Sequence, residues 1–141
     1  MLVYFDASAL VKLVIDEDGS ALAAALWDGC DAALTSRLAL PEVCAALGAA
    51  LRNHELTDAD ATTARAAFAD FWAGVRPIEL TPRVATVAGE LAALHRLGGA
   101  DAVHLASALE LRDAGVVVAA WDRRLHAGAS AAGLSVAPRI L

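Results

Sequence analysis

Short apolar runs alternate along the chain with longer segments of helical periodicity. Strands are predicted at the apolar runs 2–5, 32–35, 76–80, 116–120 and 134–136. Most of these runs lack polar interruptions, as is typical of strands that are buried on both faces of a parallel sheet. The longer segments between them predict helices. The pattern therefore indicates an α/β fold with a central parallel sheet flanked by helices on both sides.

Polar residues and prolines mark the predicted helix starts. Ser36 is the expected N-cap of a long helix, and Pro41 must then lie in its first turn or kink it. Thr81-Pro82 has the order of a cap followed by a proline at the first helical position. A Gly-Gly break at 98–99 ends that helix, and Asp101 is expected to begin the next one.

Length and composition favour a single globular domain spanning residues 1–141. Hydrophobic residues make up 58% of the sequence, which is ample for a core. The N-terminus lacks the features of a signal peptide and no stretch is suited to cross a bilayer, so we expect a soluble cytoplasmic protein. Cys30 and Cys44 have no metal-binding spacing, and Cys44 is a predicted core residue.

The formal net charge of −6 argues against a general attraction for nucleic acid. Any role on RNA would need local help from metal ions or from a few arginines. Arg37, Arg123 and Arg124 are the candidates for contacts with phosphate, although all three could also be solvated surface charges.

Four acidic residues occupy positions where side chains can meet at one edge of the predicted sheet. Asp6 and Asp122 lie just beyond the C-terminal ends of two strands, the edge at which α/β sheets bind ligands. Asp101 lies at a helix start and Glu42 in the first turns of the helix after the second strand. Clustered carboxylates stay ionised together when a cation neutralises them, and such oxygen ligands select Mg²⁺ or Mn²⁺. These ions support phosphodiester hydrolysis.

Each acid also has a purely structural interpretation. Asp6 and Asp101 could be helix N-caps, Asp122 a turn residue, and Glu42 a solvated side chain near a positive helix end. His104 follows Asp101 on the same helical face, either as a packed core residue or as a partner of the acids. The joint placement of the four acids favours the functional interpretation.

Four segments of the chain resemble the PIN-domain family, and within it the VapC toxins of bacterial toxin–antitoxin pairs. The segments are VYFDASALVKL, SRLALPEVCAAL, GGADAVHLASAL and VVVAAWDRRLHAGASAAGLSV, in the order and spacing of the family. The resemblance implies a single PIN-like domain that acts as a Mg²⁺- or Mn²⁺-dependent endoribonuclease and inhibits translation. It also implies a homodimer that a cognate VapB-type antitoxin holds inactive, often with an arginine placed among the acids.

The resemblance assigns roles to individual residues. Asp6, Glu42, Asp101 and Asp122 match the metal-binding acids, and Ser8 matches the hydroxyl that supports the first acid. One departure concerns the segment before Asp122, because the family usually has Thr or Ser two residues before the last acid and this chain has Ala120.

Two other functional classes remain open from the residues alone. A metal-dependent phosphatase or phosphotransfer protein could use Asp6 as acceptor, although Ser8 stands where a second aspartate is common and no lysine follows Lys12. A non-catalytic interaction module could retain the acids only as caps.

Overall fold

The computed structural model describes all residues, 1–141, as a five-stranded parallel sheet with helices on both faces. The strands are β1 (Leu2–Phe5), β2 (Ala32–Ser36), β3 (Arg76–Ile78), β4 (Val117–Ala119) and β5 (Ser135–Ala137). The helices are α1 (Ala7–Lys12), α2 (Ser20–Gly29), α3 (Ala39–Arg52), α4 (Asp58–Gly74), α5 (Pro82–His95), α6 (Gly99–Leu109) and α7 (Arg123–Ala131). The predicted α/β fold is confirmed. No helix is both long and apolar enough to cross a membrane.

The strand order is β3-β2-β1-β4-β5, which places β1 at the centre of the sheet. The chain leaves β1 toward β2 on one side and reaches β4 on the other. The order therefore reverses between β1 and β4, and such a reversal opens a crevice at the C-terminal ends of the strands. Asp6 follows β1 and Asp122 follows β4 within three residues, so both acids flank this crevice.

Side chains of β1 alternate between two hydrophobic cores, one on each face of the sheet. Tyr4 belongs to the core beneath α5, α6 and α7, whereas Val3 and Phe5 belong to the core beneath α1, α3 and α4. All three side chains are fully buried. Burial on both faces explains why β1 reads as an uninterrupted apolar run.

Helix α3 begins at Ala39 with Leu38 at the N-cap, not at the predicted cap Ser36. Ser36 is the last residue of β2, and its hydroxyl accepts a hydrogen bond from the Leu38 amide at 3.2 Å. Pro41 explains the later start, because a residue without an amide hydrogen fits the first turn, where no helical acceptor is available. Cys44 was predicted to be buried and is exposed, since the inward face of α3 passes through Val43 and Leu47.

Candidate active site

Asp6 is a buried carboxylate at the junction of β1 and α1. It is the N-cap of α1, and its Oδ1 accepts a hydrogen bond from the Ala9 amide at 2.8 Å. Its own amide donates to the carbonyl of Ala119 on β4, which fixes the backbone to the neighbouring strand. The side chain of Asp6 is thus held at the crevice, and its capping role and a functional role are compatible.

The pKa of Asp6 is raised from 3.8 to about 6. Burial is the main cause, because a charged carboxylate loses its hydration there. Hydrogen bonds from Ser8 and Ala9 oppose this effect, and the nearby negative charge of Asp122 adds to it. Burial therefore disfavours the ionised form of Asp6 in the folded chain.

Ser8 connects the ends of the two central strands. Its Oγ lies 2.7 Å from Oδ1 and 2.9 Å from Oδ2 of Asp6, and its single hydroxyl hydrogen donates to this carboxylate. The same oxygen accepts a hydrogen bond from the Trp121 amide at 2.8 Å. Ser8 therefore contacts both the Asp6 carboxylate and the backbone amide of the residue before Asp122. This amide belongs to Trp121, which follows Ala120, the position where the family usually has a hydroxyl.

Asp122 is exposed and is the N-cap of α7. Its Oδ1 accepts hydrogen bonds from the amides of Arg124 at 2.9 Å and Leu125 at 3.0 Å. Both bonds go to one oxygen, so Oδ2 points to no cap donor and is available to another ligand.

Asp101 is the third residue of α6, and the N-cap of that helix is Gly98. The capping interpretation of Asp101 is therefore wrong. The pKa of Asp101 is raised, first by burial and then by the negative charges of Asp122 and Glu42, while Arg124 opposes the change. Asp101 thus lies within electrostatic range of two other acids of the predicted set.

Glu42 lies in the first turn of α3 and is bound to a buried histidine of α6. Nε2 of His104 is 2.5 Å from Oε1 of Glu42, and Nδ1 is 2.7 Å from the hydroxyl of Tyr4. A carboxylate only accepts hydrogen bonds, so a neutral His104 donates from Nε2 and accepts from Tyr4 at Nδ1. Both interpretations of His104 hold, because it is 1% exposed and also a partner of one acid.

Tyr4 was not singled out from the sequence. Burial raises its pKa well above 10, so its hydroxyl remains protonated and can donate to His104. The sequence signal was weak, since Tyr4 reads as one more apolar residue of β1. Its partner lies 100 positions away in the chain, where no local pattern could indicate the contact.

The arginines predicted to contact phosphate differ in their surroundings. Arg37 is exposed and bonded to Glu79, with Nε to Oε1 at 3.1 Å. Arg123 and Arg124 line an open cleft of about 630 Å³ that His95 and Arg96 also line. Arg96 was not identified from the sequence, because nothing in its local pattern separates it from an ordinary surface arginine.

The four acids suit a divalent cation by charge and by donor type. Asp6, Glu42, Asp101 and Asp122 carry the oxygen donors that such an ion prefers, and the negative charge of Asp122 contributes, after burial, to the raised pKa of both Asp6 and Asp101. No group of three or more His, Cys, Asp or Glu side chains is arranged to hold one ion directly. A hydrated ion such as Mg²⁺ is commonly bound through one or two carboxylates and several waters, so these residues fit such an ion.

Comparison with known proteins identifies the family to which the chain is similar. The PIN domain family matches residues 3–130 of the chain. Ribonuclease VapC45 and ribonuclease VapC49, from two strains of Mycobacterium tuberculosis, are each 66% identical over 137 residues, covering 97% of this chain and 95% of theirs.

Solved structures share the fold at low sequence identity. The crystal structure of PAE2754 from Pyrobaculum aerophilum matches with a TM-score of 0.71 at 20% identity, covering 96% of this chain and 83% of that one. VapBC2 from Rickettsia felis, crystallised with a DNA fragment from its promoter, matches at 0.66 and 11% identity, covering 96% and 97%. The sheet order, the crevice between β1 and β4 and these matches lead to one conclusion: the chain belongs to the PIN domain family, in its VapC group.

Proposed function

We propose that the chain is a metal-dependent endoribonuclease, the toxin of a VapBC-type pair, with Asp6, Glu42, Asp101 and Asp122 as its catalytic acids. The observation that carries the proposal is the position of Asp6 and Asp122 at the C-terminal ends of β1 and β4, with Asp101 near enough to Asp122 and Glu42 for their charges to interact. The high identity to two proteins named ribonucleases supports RNA as the substrate.

The chain's own residues have separable tasks in this proposal. Asp6 and Asp101 supply ligand oxygens, and Asp122 adds Oδ2 because its Oδ1 is occupied by the cap. Ser8 orients Asp6 and lowers the pKa of that carboxyl, which favours the ionised form that binds cations. His104 orients Glu42 through a hydrogen bond to its carboxylate, as Ser8 orients Asp6.

We assign Mg²⁺ or Mn²⁺ as the ion, because hard carboxylate oxygens without thiolate or imidazole ligands select these metals. When bound, such an ion activates water and stabilises the leaving oxygen of a phosphodiester. The protein's part is to hold the carboxylates ionised and fixed. Asp6, whose pKa is about 6, is mostly ionised in neutral solution.

A cognate VapB-type antitoxin is the expected partner. An arginine from such a partner would neutralise the same carboxylates that a metal ion neutralises, since a guanidinium binds carboxylates in a bidentate manner. The chain also exposes large apolar side chains, Leu80 at 51% and Leu94 at 74%, which suits coverage by an antitoxin or by a second copy in a homodimer. Two free cysteines fit a reducing cytoplasm.

The experiment that tests the proposal incubates the purified protein with total cellular RNA. Parallel reactions contain Mg²⁺, Mn²⁺ or EDTA, and the Asp101→Asn variant controls for contaminating nuclease. The proposal predicts discrete cleavage that needs metal and disappears in the variant. Equal cleavage by wild type and variant, or no cleavage of any RNA by a metal-loaded wild type, would count against it.

A further inference from the structure

An open cleft between the end of α5 and α7 collects positive charge in an otherwise acidic molecule. Ten of the 11 basic residues are arginines, and three of them, Arg96, Arg123 and Arg124, line this cleft together with His95. No acidic residue lines it. The charge of the cleft is thus opposite to the net charge of −6 of the whole chain.

The arginines of the cleft are free to bind an external anion. None of the ion pairs in the structure involves Arg96, Arg123 or Arg124. By contrast, Arg37 and Arg83 are paired with Glu79 and Glu110. Unpaired guanidinium groups gathered at one surface are suited to bidentate contacts with phosphate.

The backbone of Arg96 supports a role for its side chain. Arg96 is the C-cap of α5 with a φ of 54°, in the left-handed region that glycine adopts most readily. An arginine at this position carries backbone strain that a glycine would not. Its side chain lies in the cleft, which gives a reason for an arginine there.

The cleft opens next to the acids. Arg123 and Arg124 directly follow Asp122, and Arg124 is near enough to Asp101 to lower the pKa of that carboxyl. The remaining wall is formed by small residues of α7, namely Ala127, Gly128 and Ala131. Small side chains leave room for a polynucleotide backbone to approach the helix.

We propose that this cleft, with Arg96 as its central contact, binds the phosphate backbone of a single-stranded RNA and leads it to the acidic site. The proposal rests on the ribonuclease function proposed above. The cleft is open, and its polar side chains are all basic, which favours an extended strand bound by its phosphates without a base-specific pocket.

The test measures binding of a short fluorescein-labelled single-stranded RNA by anisotropy over a series of salt concentrations. The parent is Asp101→Asn, which prevents cleavage, and carries in turn Arg96→Gln, Arg124→Gln or Arg65→Gln. Arg65 is the matched control, because it is exposed, has no ion pair and lies on α4, which packs on the opposite core.

We expect Arg96→Gln and Arg124→Gln each to weaken binding about tenfold at low salt and to reduce the salt dependence by about 0.7 in log–log slope. Arg65→Gln should match the parent. Arg96→Gly provides a second check, since it should weaken RNA binding equally while leaving the melting temperature unchanged or higher.

Three results would overturn the proposal. If Arg96→Gln binds RNA as tightly as Arg65→Gln while the wild type still cuts RNA, the proposal that the cleft binds RNA is wrong and the proposed ribonuclease function is retained. If Arg96→Gln weakens binding of an oligoglutamate peptide and spares RNA binding, the cleft is a site for an acidic protein segment. If the parent binds no RNA at any salt concentration, the cleft proposal fails, and cleavage by wild type decides the ribonuclease proposal separately.

Discussion

Burial of Asp6 makes its ionised form unfavourable for folding, although the proposed metal site needs that ionised form. Its pKa is raised from 3.8 to about 6 by burial, so the folded chain holds this proton more tightly than the unfolded chain. The resulting stability is complete below about pH 4 and is lost as the pH rises through 6. In neutral solution without metal, the ionised carboxylate costs about 3 kcal/mol of folding free energy.

Asp6→Asn should therefore stabilise the metal-free protein at pH 7. Asparagine retains an oxygen for the Ala9 amide and remains a good N-cap, while the buried charge is removed. In EDTA at pH 7 we expect the variant to have a higher melting temperature than the wild type. When the pH is lowered from 7 to 5, the melting temperature of the wild type should rise, and that of the variant should rise less. A lower melting temperature of the variant at pH 7 would show that the charge of Asp6 is not a cost.

His104 allows its two hydrogen bonds to be separated. In His104→Gln the amide nitrogen can take the place of Nε2 and still donate to Glu42, whereas in His104→Asn the shorter side chain reaches the Tyr4 hydroxyl only. If His104 positions Glu42, the asparagine variant should lose about tenfold in Mn²⁺ affinity and the glutamine variant should retain most of it.

The measurement is Mn²⁺ binding by calorimetry, with melting temperatures recorded beside it. Both variants leave a smaller side chain in the same buried site, so both should lose thermal stability. Equal loss of Mn²⁺ affinity in the two variants would assign His104 a packing role only.

The start of α2 packs against Trp121, in the segment that carries Asp122. Gly19 is the N-cap of α2 with a φ of 93°, and a Cβ there would lie 2.5 Å from Nε1 of Trp121. The amide of Trp121 donates a hydrogen bond to Ser8 Oγ, and the Lys12 Nζ lies over the indole ring, 5.4 Å from its centroid. The loop and the tryptophan therefore fit each other closely.

Gly19→Ala should destabilise the protein by about 1–3 kcal/mol, because it adds backbone strain and displaces Trp121. Gly29→Ala in the same helix is the matched control, since nothing lies within 4 Å of a Cβ at that position and its φ is not positive. Denaturant unfolding followed by tryptophan fluorescence measures both. Equal stability of the two variants would contradict the close fit.

Elements were predictable where their signals are local. Thr81 caps α5 with Pro82 at the first position, as the sequence predicts, because both effects act within one turn. Ends set by tertiary contacts were less predictable. Ser36 was the expected N-cap of α3, but it pairs with Ile78 as the last residue of β2, and the helix begins at Ala39.

The candidate site was predictable in part for the same reason. The acids could be found because strand ends and helix starts are visible in the sequence. The contacts of Tyr4, Glu42 and His104 join positions 100 and 62 residues apart, and the strand order that creates them is not encoded in any local pattern. Arg96 was missed because its left-handed backbone is a property of the folded turn.

The net charge of the chain predicts that RNA binding depends on metal. The chain has a net charge of −6, and the carboxylates of Asp101 and Asp122 lie close to Arg124 of the basic cleft. Without a cation these carboxylates repel phosphate, so EDTA should weaken binding of a non-hydrolysable RNA analogue by the wild type at least tenfold at low salt. Binding that is unchanged in EDTA would show that the cleft alone holds RNA.

In the function proposed above, acids from separate elements form one site for a divalent cation. The most direct measurement is the Mn²⁺ binding isotherm of the wild type beside Asp6→Asn, Glu42→Gln, Asp101→Asn and Asp122→Asn, with Asp70→Asn on α4 as a control for surface charge. We predict that binding by the wild type and the control is alike and that each of the four variants weakens it. Wild-type affinity in all four variants, or no binding by the wild type, would contradict the account.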